Sequence, residues 1–165
     1  MPNNGKSAEV YGVEISGQQL LHWLPGILGS LGVGGNVTLQ RSKAVTGLSW
    51  HPEGYSLPLM ETPETIANLQ LFWARKGWEI YGAWNYQSKF LGGINDFGNN
   101  PYEQAYSFVD LTVRKTFMKK SSIQFQVQNL FDSHTYWQTV STGQGASRAY
   151  IKNGRSMTLG LNLIF

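Results

Sequence analysis

The chain contains no cysteine, so disulfide frameworks, thiol nucleophiles and thiolate metal sites are excluded. Charge is scarce: Asp, Glu, Lys and Arg make up 14% of the 165 residues, against about 25% in soluble domains. The net charge of +3 is dispersed, with only Arg75-Lys76, Arg114-Lys115 and Lys119-Lys120 adjacent, which argues against a nucleic-acid footprint. No apolar run approaches the roughly 20 residues that a membrane-spanning helix needs, and mean hydropathy is −0.26. The segment from Met1 to Ser7 lacks the apolar stretch of a secretory signal. What is abundant is aromatic residues, at 13%, and glycine, at 19 residues. That balance suits a transmembrane β-barrel, and it also suits a soluble carbohydrate-binding β-sandwich.

Period-two alternation runs through the chain and predicts strands. Met157, Leu159, Leu161, Leu163 and Phe165 share one face, opposite Ser156, Thr158, Gly160, Asn162 and Ile164. Ile123, Phe125 and Val127 alternate with Gln124, Gln126 and Gln128. A face of three glutamines cannot enter a dry core without partners for every amide, so it must meet water or a polar lumen. The same pattern recurs over Ser107–Phe117, Trp78–Gln87, Ala67–Trp73, Leu31–Gln40 and Glu9–Ser16. The reading is all-β: an antiparallel meander of about seven strands.

Connection lengths alternate. Arg75-Lys76-Gly77 and Met118–Ser122 are short and Leu24–Ser30 is modest, whereas Lys43–Thr65, Leu91–Gln104 and Phe131–Asn153 are long and polar. Short turns on one rim and long loops on the other are the pattern of outer-membrane barrels. Trp73, Trp78, Phe90, Phe117 and Phe165 stand near predicted strand ends, as a headgroup-level girdle would. An odd strand number leaves two edges whose backbone groups have no partner in lipid. An eighth strand hidden near Ser147–Lys152 would relieve this and give a small, complete structural outer-membrane barrel, but partner strands upstream in a longer chain are the simpler expectation.

An ordered set of motifs adds to this. Gly12-Val13-Glu14, Leu24-Pro25-Gly26, the Gly32–Thr38 strand, Trp73–Trp78, Asn85–Leu91, Asp110-Leu111 and Gln128-Asn129-Leu130-Phe131-Asp132 stand in the order seen in TonB-dependent receptors. From Ala8 onward the chain resembles the C-terminal barrel strands of that family, and residues 1–7 read as a loop or disordered start. The closing residues also resemble the signal read by the barrel assembly machinery, with Thr158, Gly160, Leu163 and Phe165 in its places. The resemblance implies a receptor barrel of about 22 strands around a plug. Such receptors import siderophore-bound iron, cobalamin or oligosaccharides across a Gram-negative outer membrane, energised by the TonB complex. A plug, a TonB-contacting segment and a signal are not found here, so the expectation is an incomplete segment of a large transmembrane β-barrel that does not transport alone. Its expected partners are outer-membrane lipid, the assembly machinery, and the upstream strands and plug of a longer chain. The TonB complex would be reached only through that missing part.

No catalytic constellation stands out, and no cofactor or metal site is expected. His22, His51 and His134 are far apart in sequence, without metal-ligand spacing. Asp110, Arg114 and Glu79 read as a structural charge ladder in a wet lumen. Gly32, Gly34 and Gly35 lack the strand–glycine–helix order of a phosphate loop and read as close packing or strand bending. Ligand contacts, if present, belong to the long loops. There Trp50, His51, Tyr55, Tyr102, Tyr136 and Trp137 could stack on sugar or siderophore rings.

Overall fold

The computed structural model describes residues 5–49, 51–95, 99–117, 120–141 and 144–164. Seven long antiparallel strands form one sheet in chain order: β1 (Ser7–Leu20), β2 (Leu31–Val45), β4 (Thr65–Arg75), β5 (Trp78–Gln87), β8 (Tyr106–Phe117), β9 (Ser121–Gln128) and β12 (Ser156–Asn162). The two-residue β3 (Ser56–Leu57) pairs with the end of β2. Each of the seven coincides with an alternating stretch of sequence. At a tilt near 40° a strand of about ten residues crosses a bilayer core, and β4, β5 and β8 have 11, 10 and 12.

The register explains the alternation. Val13 faces Leu39, Val33 faces Leu71, Leu69 faces Trp84, Ile80 faces Val113, Val113 faces Phe125, and Phe125 faces Leu159. Cross-strand partners share a face, so these apolar side chains merge into one band across all seven strands. The band is uncovered: Ile15 is 64% exposed, Leu71 46%, Phe125 41% and Leu159 71%. In water so large an apolar surface would demand a partner; a β-sandwich would have covered it with a second sheet. The opposite face carries Glu14, Asn36, Gln70, Asn85, Asp110 and the three glutamines of β9.

The turns are built as their rims require. Lys76 and Gly77 have φ of 49° and 75°, the paired positive angles of a two-residue turn that matches strand twist. A β-carbon on Gly77 would stand 2.8 Å from the Thr116 carbonyl oxygen, which is why glycine is needed there. Between β1 and β2 the chain makes one 3-10 turn (Leu28–Ser30), pinned by the Trp73 indole N–H donating to the Ile27 carbonyl at 2.7 Å.

Two of the three long connections form a second sheet. β6 (Phe90–Leu91) pairs with β7 (Pro101–Glu103), β7 with β10 (Thr135–Ser141), and β10 with β11 (Gln144–Ile151). A parallel bridge from Met60 to Leu91 ties in the remaining long loop. The possible strand near Ser147–Lys152 therefore exists as part of β11, but it pairs with β10 and does not extend the seven-stranded sheet. β1 and β12 are the ends of that sheet, which does not close. In β9 Val127 (3%), Ser122 (4%) and Ser121 (5%) are buried, and among the long connections Leu91 is 0% exposed, Asn100 4% and Leu57 8%. Phe90 belongs here rather than to an aromatic girdle, its ring edge-on to Trp137 with centroids 6.3 Å apart.

Candidate ligand-binding face

The polar face forms a wall with open hollows. One, of about 510 Å³, lies among Glu14, Ser16, Gln18, Asn36 and Gln70. Another, of about 380 Å³, lies among Asn68, Asn85, Gln87, Phe108, Asp110 and Gln128. The Asn68 amide donates to Asn36 Oδ1 at 3.0 Å, holding the first in shape. Of the expected charge ladder, Arg114 meets Glu79 at 3.6 Å across the β5–β8 register. With both side chains well exposed, the pair adds little stability.

Asp110 has a different task. Its carboxylate accepts the backbone N–H of Asn129 at 2.9 Å, where the chain leaves β9 with φ of 53°. Asn129 tolerates this left-handed conformation better than most residues. Its buried side chain donates to the carbonyls of Ser133 (3.0 Å) and Gly154 (2.8 Å) and accepts the Ser133 N–H (2.8 Å). One amide thus closes both ends of the long connection between β9 and β12. The physical content of the Asn-Leu-Phe-Asp element is this clamp, which periodicity could not reveal.

Glycine also has a local cause. Gly32 pairs with Phe72, and a β-carbon there would fall 2.2 Å from the ring. Phe72 lies over the bare glycine backbone, an arrangement that compensates for the missing side chain.

The proposed loop contacts divide into three groups. The rings of His51 and Tyr55 are 4.2 Å apart, and the Thr46 hydroxyl is 2.9 Å from His51 Nδ1. Burial first, then the charge of Tyr55, pushes the Tyr102 phenol above its ordinary pKa. Lys89 Nζ stands 5.1 Å from the Tyr102 ring centroid. His51 and Tyr55 thus pair within one loop, and Tyr102 in the next is joined by Lys89, which sequence reasoning did not single out. Tyr136 lies elsewhere, 5.3 Å from the Tyr150 ring, with His134 5.0 Å from Tyr150 on its other side. Trp137 covers Gly92 on the opposite face of the small sheet from Tyr136, next to it in β10. Trp50 lies outside the described residues. His22 accompanies neither cluster; its Nδ1 is 3.3 Å from the Gly29 carbonyl oxygen at the far rim.

A bare sheet with one lipid-like face, one polar wall and long loops on a single rim restricts the possibilities to a barrel wall. Residues 1–130 match the family model described as TonB dependent receptor-like, beta-barrel. The chain belongs to that family. No curated protein and no solved structure matches it. TonB-dependent receptors are outer-membrane receptors and transporters rather than enzymes, and full-length receptors work with a plug and TonB. The match ends at Leu130, so β10, β11 and β12 of this receptor barrel lie beyond it. Of the residues expected to form an assembly signal, Thr158 and Gly160 sit on the polar face opposite Gln126 and Gln124, and Leu163 is 49% exposed just after β12. Phe165 lies outside the described residues.

Proposed function

We propose that this chain is the strand-rich end of an outer-membrane receptor that takes up a scarce nutrient, whether siderophore-bound iron, cobalamin or an oligosaccharide. The observation that carries the reading is the seven-stranded sheet, apolar on one face and amide-rich on the other, with the long loops gathered on one rim. The short turns then face the periplasm and the loop sheet faces outward. Transport needs more than this segment. The outer edges of β1 and β12 present backbone groups that hydrocarbon cannot satisfy, so upstream strands and a plug complete the barrel. Thr158, Gly160, Leu163 and Phe165 serve recognition by the barrel assembly machinery, and the TonB complex acts through the part that carries the plug. In the outward layer His51, Tyr55 and Tyr102 form the primary ligand contact. Their rings suit a planar or sugar surface, and Lys89 suits an anionic group on it. Trp50, Tyr136 and Trp137 are further contacts.

The test is the mass of the cellular product. Peptides from 107–115 and 157–165 should be recovered from outer membranes in a polypeptide several times heavier than 18.5 kDa. Recovery at 18.5 kDa from the soluble fraction would overturn the reading. In the intact receptor, replacing both Tyr55 and Tyr102 by Ala should reduce ligand uptake while leaving its membrane abundance unchanged.

A further inference from the structure

The two rims differ in charge. Arg75, Lys76, Arg114, Lys115, Lys119 and Lys120 all fall around the β4–β5 and β8–β9 turns, where Glu79 is the sole acid in the sequence. Arg114 is spent on that acid, on the polar face, and Lys119 lies outside the described residues. At the loop rim acids and bases are mixed, as where Lys152 meets Asp132 at 3.7 Å.

The placement of the surplus is informative. Arg75 pairs with Trp78, and Trp78 with Lys115, so the three form one cross-strand row on the apolar face. They are adjacent to the next row inward, Trp73, Ile80 and Val113. Lys115 lies across the Trp78 ring, its Nζ 4.9 Å from the centroid, and donates to the Lys76 carbonyl at 2.9 Å. The stem covers apolar surface while the charge is carried to the rim, and Trp78, 44% exposed, has the amphipathic ring favoured at headgroup depth. Arg75 is half-buried at the same boundary. A guanidinium, an ammonium and a tryptophan at the boundary of a lipid-facing band match a phosphate held at that boundary.

We infer that Arg75, Lys76, Trp78 and Lys115 bind the phosphate of an anionic phospholipid in the leaflet that meets the short turns. This rests on the outer-membrane reading above. A lipid fits better than an acidic polypeptide because Arg75, Trp78 and Lys115 stand on the apolar face, with Lys76 in the adjoining turn.

The test inserts the full-length receptor into phosphatidylcholine vesicles containing a titrated fraction of phosphatidylglycerol, and counts retained lipids on the intact protein by native mass spectrometry. The combined substitution Arg75→Gln, Lys76→Gln, Lys115→Gln should lower phosphatidylglycerol affinity by about fivefold per charge removed, with phosphatidylcholine retention unchanged and the loop-rim control Arg155→Gln without effect. If the triple variant fails to insert, Lys115→Gln alone, on the apolar face beside Trp78, carries the test. Normal insertion with undiminished phosphatidylglycerol retention would overturn the lipid site and leave the receptor reading standing. So would loss of polyglutamate binding alone, which would indicate a polypeptide partner. Failure of the unmodified receptor to insert into any vesicle would overturn both.

Discussion

Leu71 and Gln70 are neighbours in β4 that face opposite environments, and replacing each by Arg tests the two-faced wall directly. Leu71 lies between Val33 and Gly82 on the apolar face and is 46% exposed; Gln70 lines the hollow opposite. From Leu71 to Arg75, which marks the cationic boundary, is roughly 13 Å along the strand, or about 10 Å of depth at a tilt near 40°. In an apolar band about 25 Å tall that is close to the midplane, where Arg costs about 2–4 kcal/mol. Gln70→Arg keeps its charge in the wet lumen and should cost well under half of that. The assay is reversible urea unfolding of the full-length receptor in lipid vesicles, with Leu71→Ala separating lost packing from inserted charge. Leu161 provides an internal depth control. It pairs with Ile123, which pairs with Lys115, so Leu161→Arg lies near the short-turn rim and should cost only about 0–1 kcal/mol. If Leu71→Arg and Gln70→Arg destabilise equally in lipid, the apolar band does not face hydrocarbon and the assignment of faces is wrong.

Asn129→Ala removes three hydrogen bonds at a buried site and imposes the φ of 53° on a residue that resists it. A loss of about 2–4 kcal/mol is expected, seen as faster amide exchange across 133–154. Asn129→Gly should recover only the backbone part, and unchanged exchange in both variants would refute the clamp. Burial pushes the Glu103 carboxyl above the usual carboxylate range, where it stands between Phe90 and Trp137 in the loop sheet. A raised folded pKa means the favourable contribution is complete below the unfolded value, about 4.3, and is lost as pH rises through the folded value. Protection of β7 and β10 amides, corrected for intrinsic exchange, should therefore weaken over that interval, and Glu103→Gln should flatten the profile. An identical slope in the variant would exclude Glu103 as the cause.

The wall was legible in the sequence because its strands are long and each one shows its two environments every other residue: Leu69 and Leu71 against Asn68 and Gln70 is enough to assign a face. The loop sheet was not legible. β6 and β7 have two and three residues, too few to show a period, and Pro101 within β7 reads as a breaker. Its pairing, Trp137 with Glu103, joins segments that no local pattern connects. The aromatic candidates were found by residue type and loop placement alone, so their grouping was beyond reach: Tyr136 packs on Tyr150, while Tyr136 and Trp137 are separated because adjacent strand residues face opposite sides. Lys89 was missed because a lone lysine gives no signal until a ring is beneath it.

The stitching of the three long loops through Met60, Leu91, Tyr102 and Gln138 bears on how such a receptor could acquire a new cargo. A loop that stands free can be exchanged like a cassette. Here two connections supply the strands of a shared sheet and the third is bridged to it, so a graft of either of the two would leave half a ladder without its complement. Change of specificity in this outer layer has two open routes: single side chains altered on a fixed frame, or all three connections inherited together.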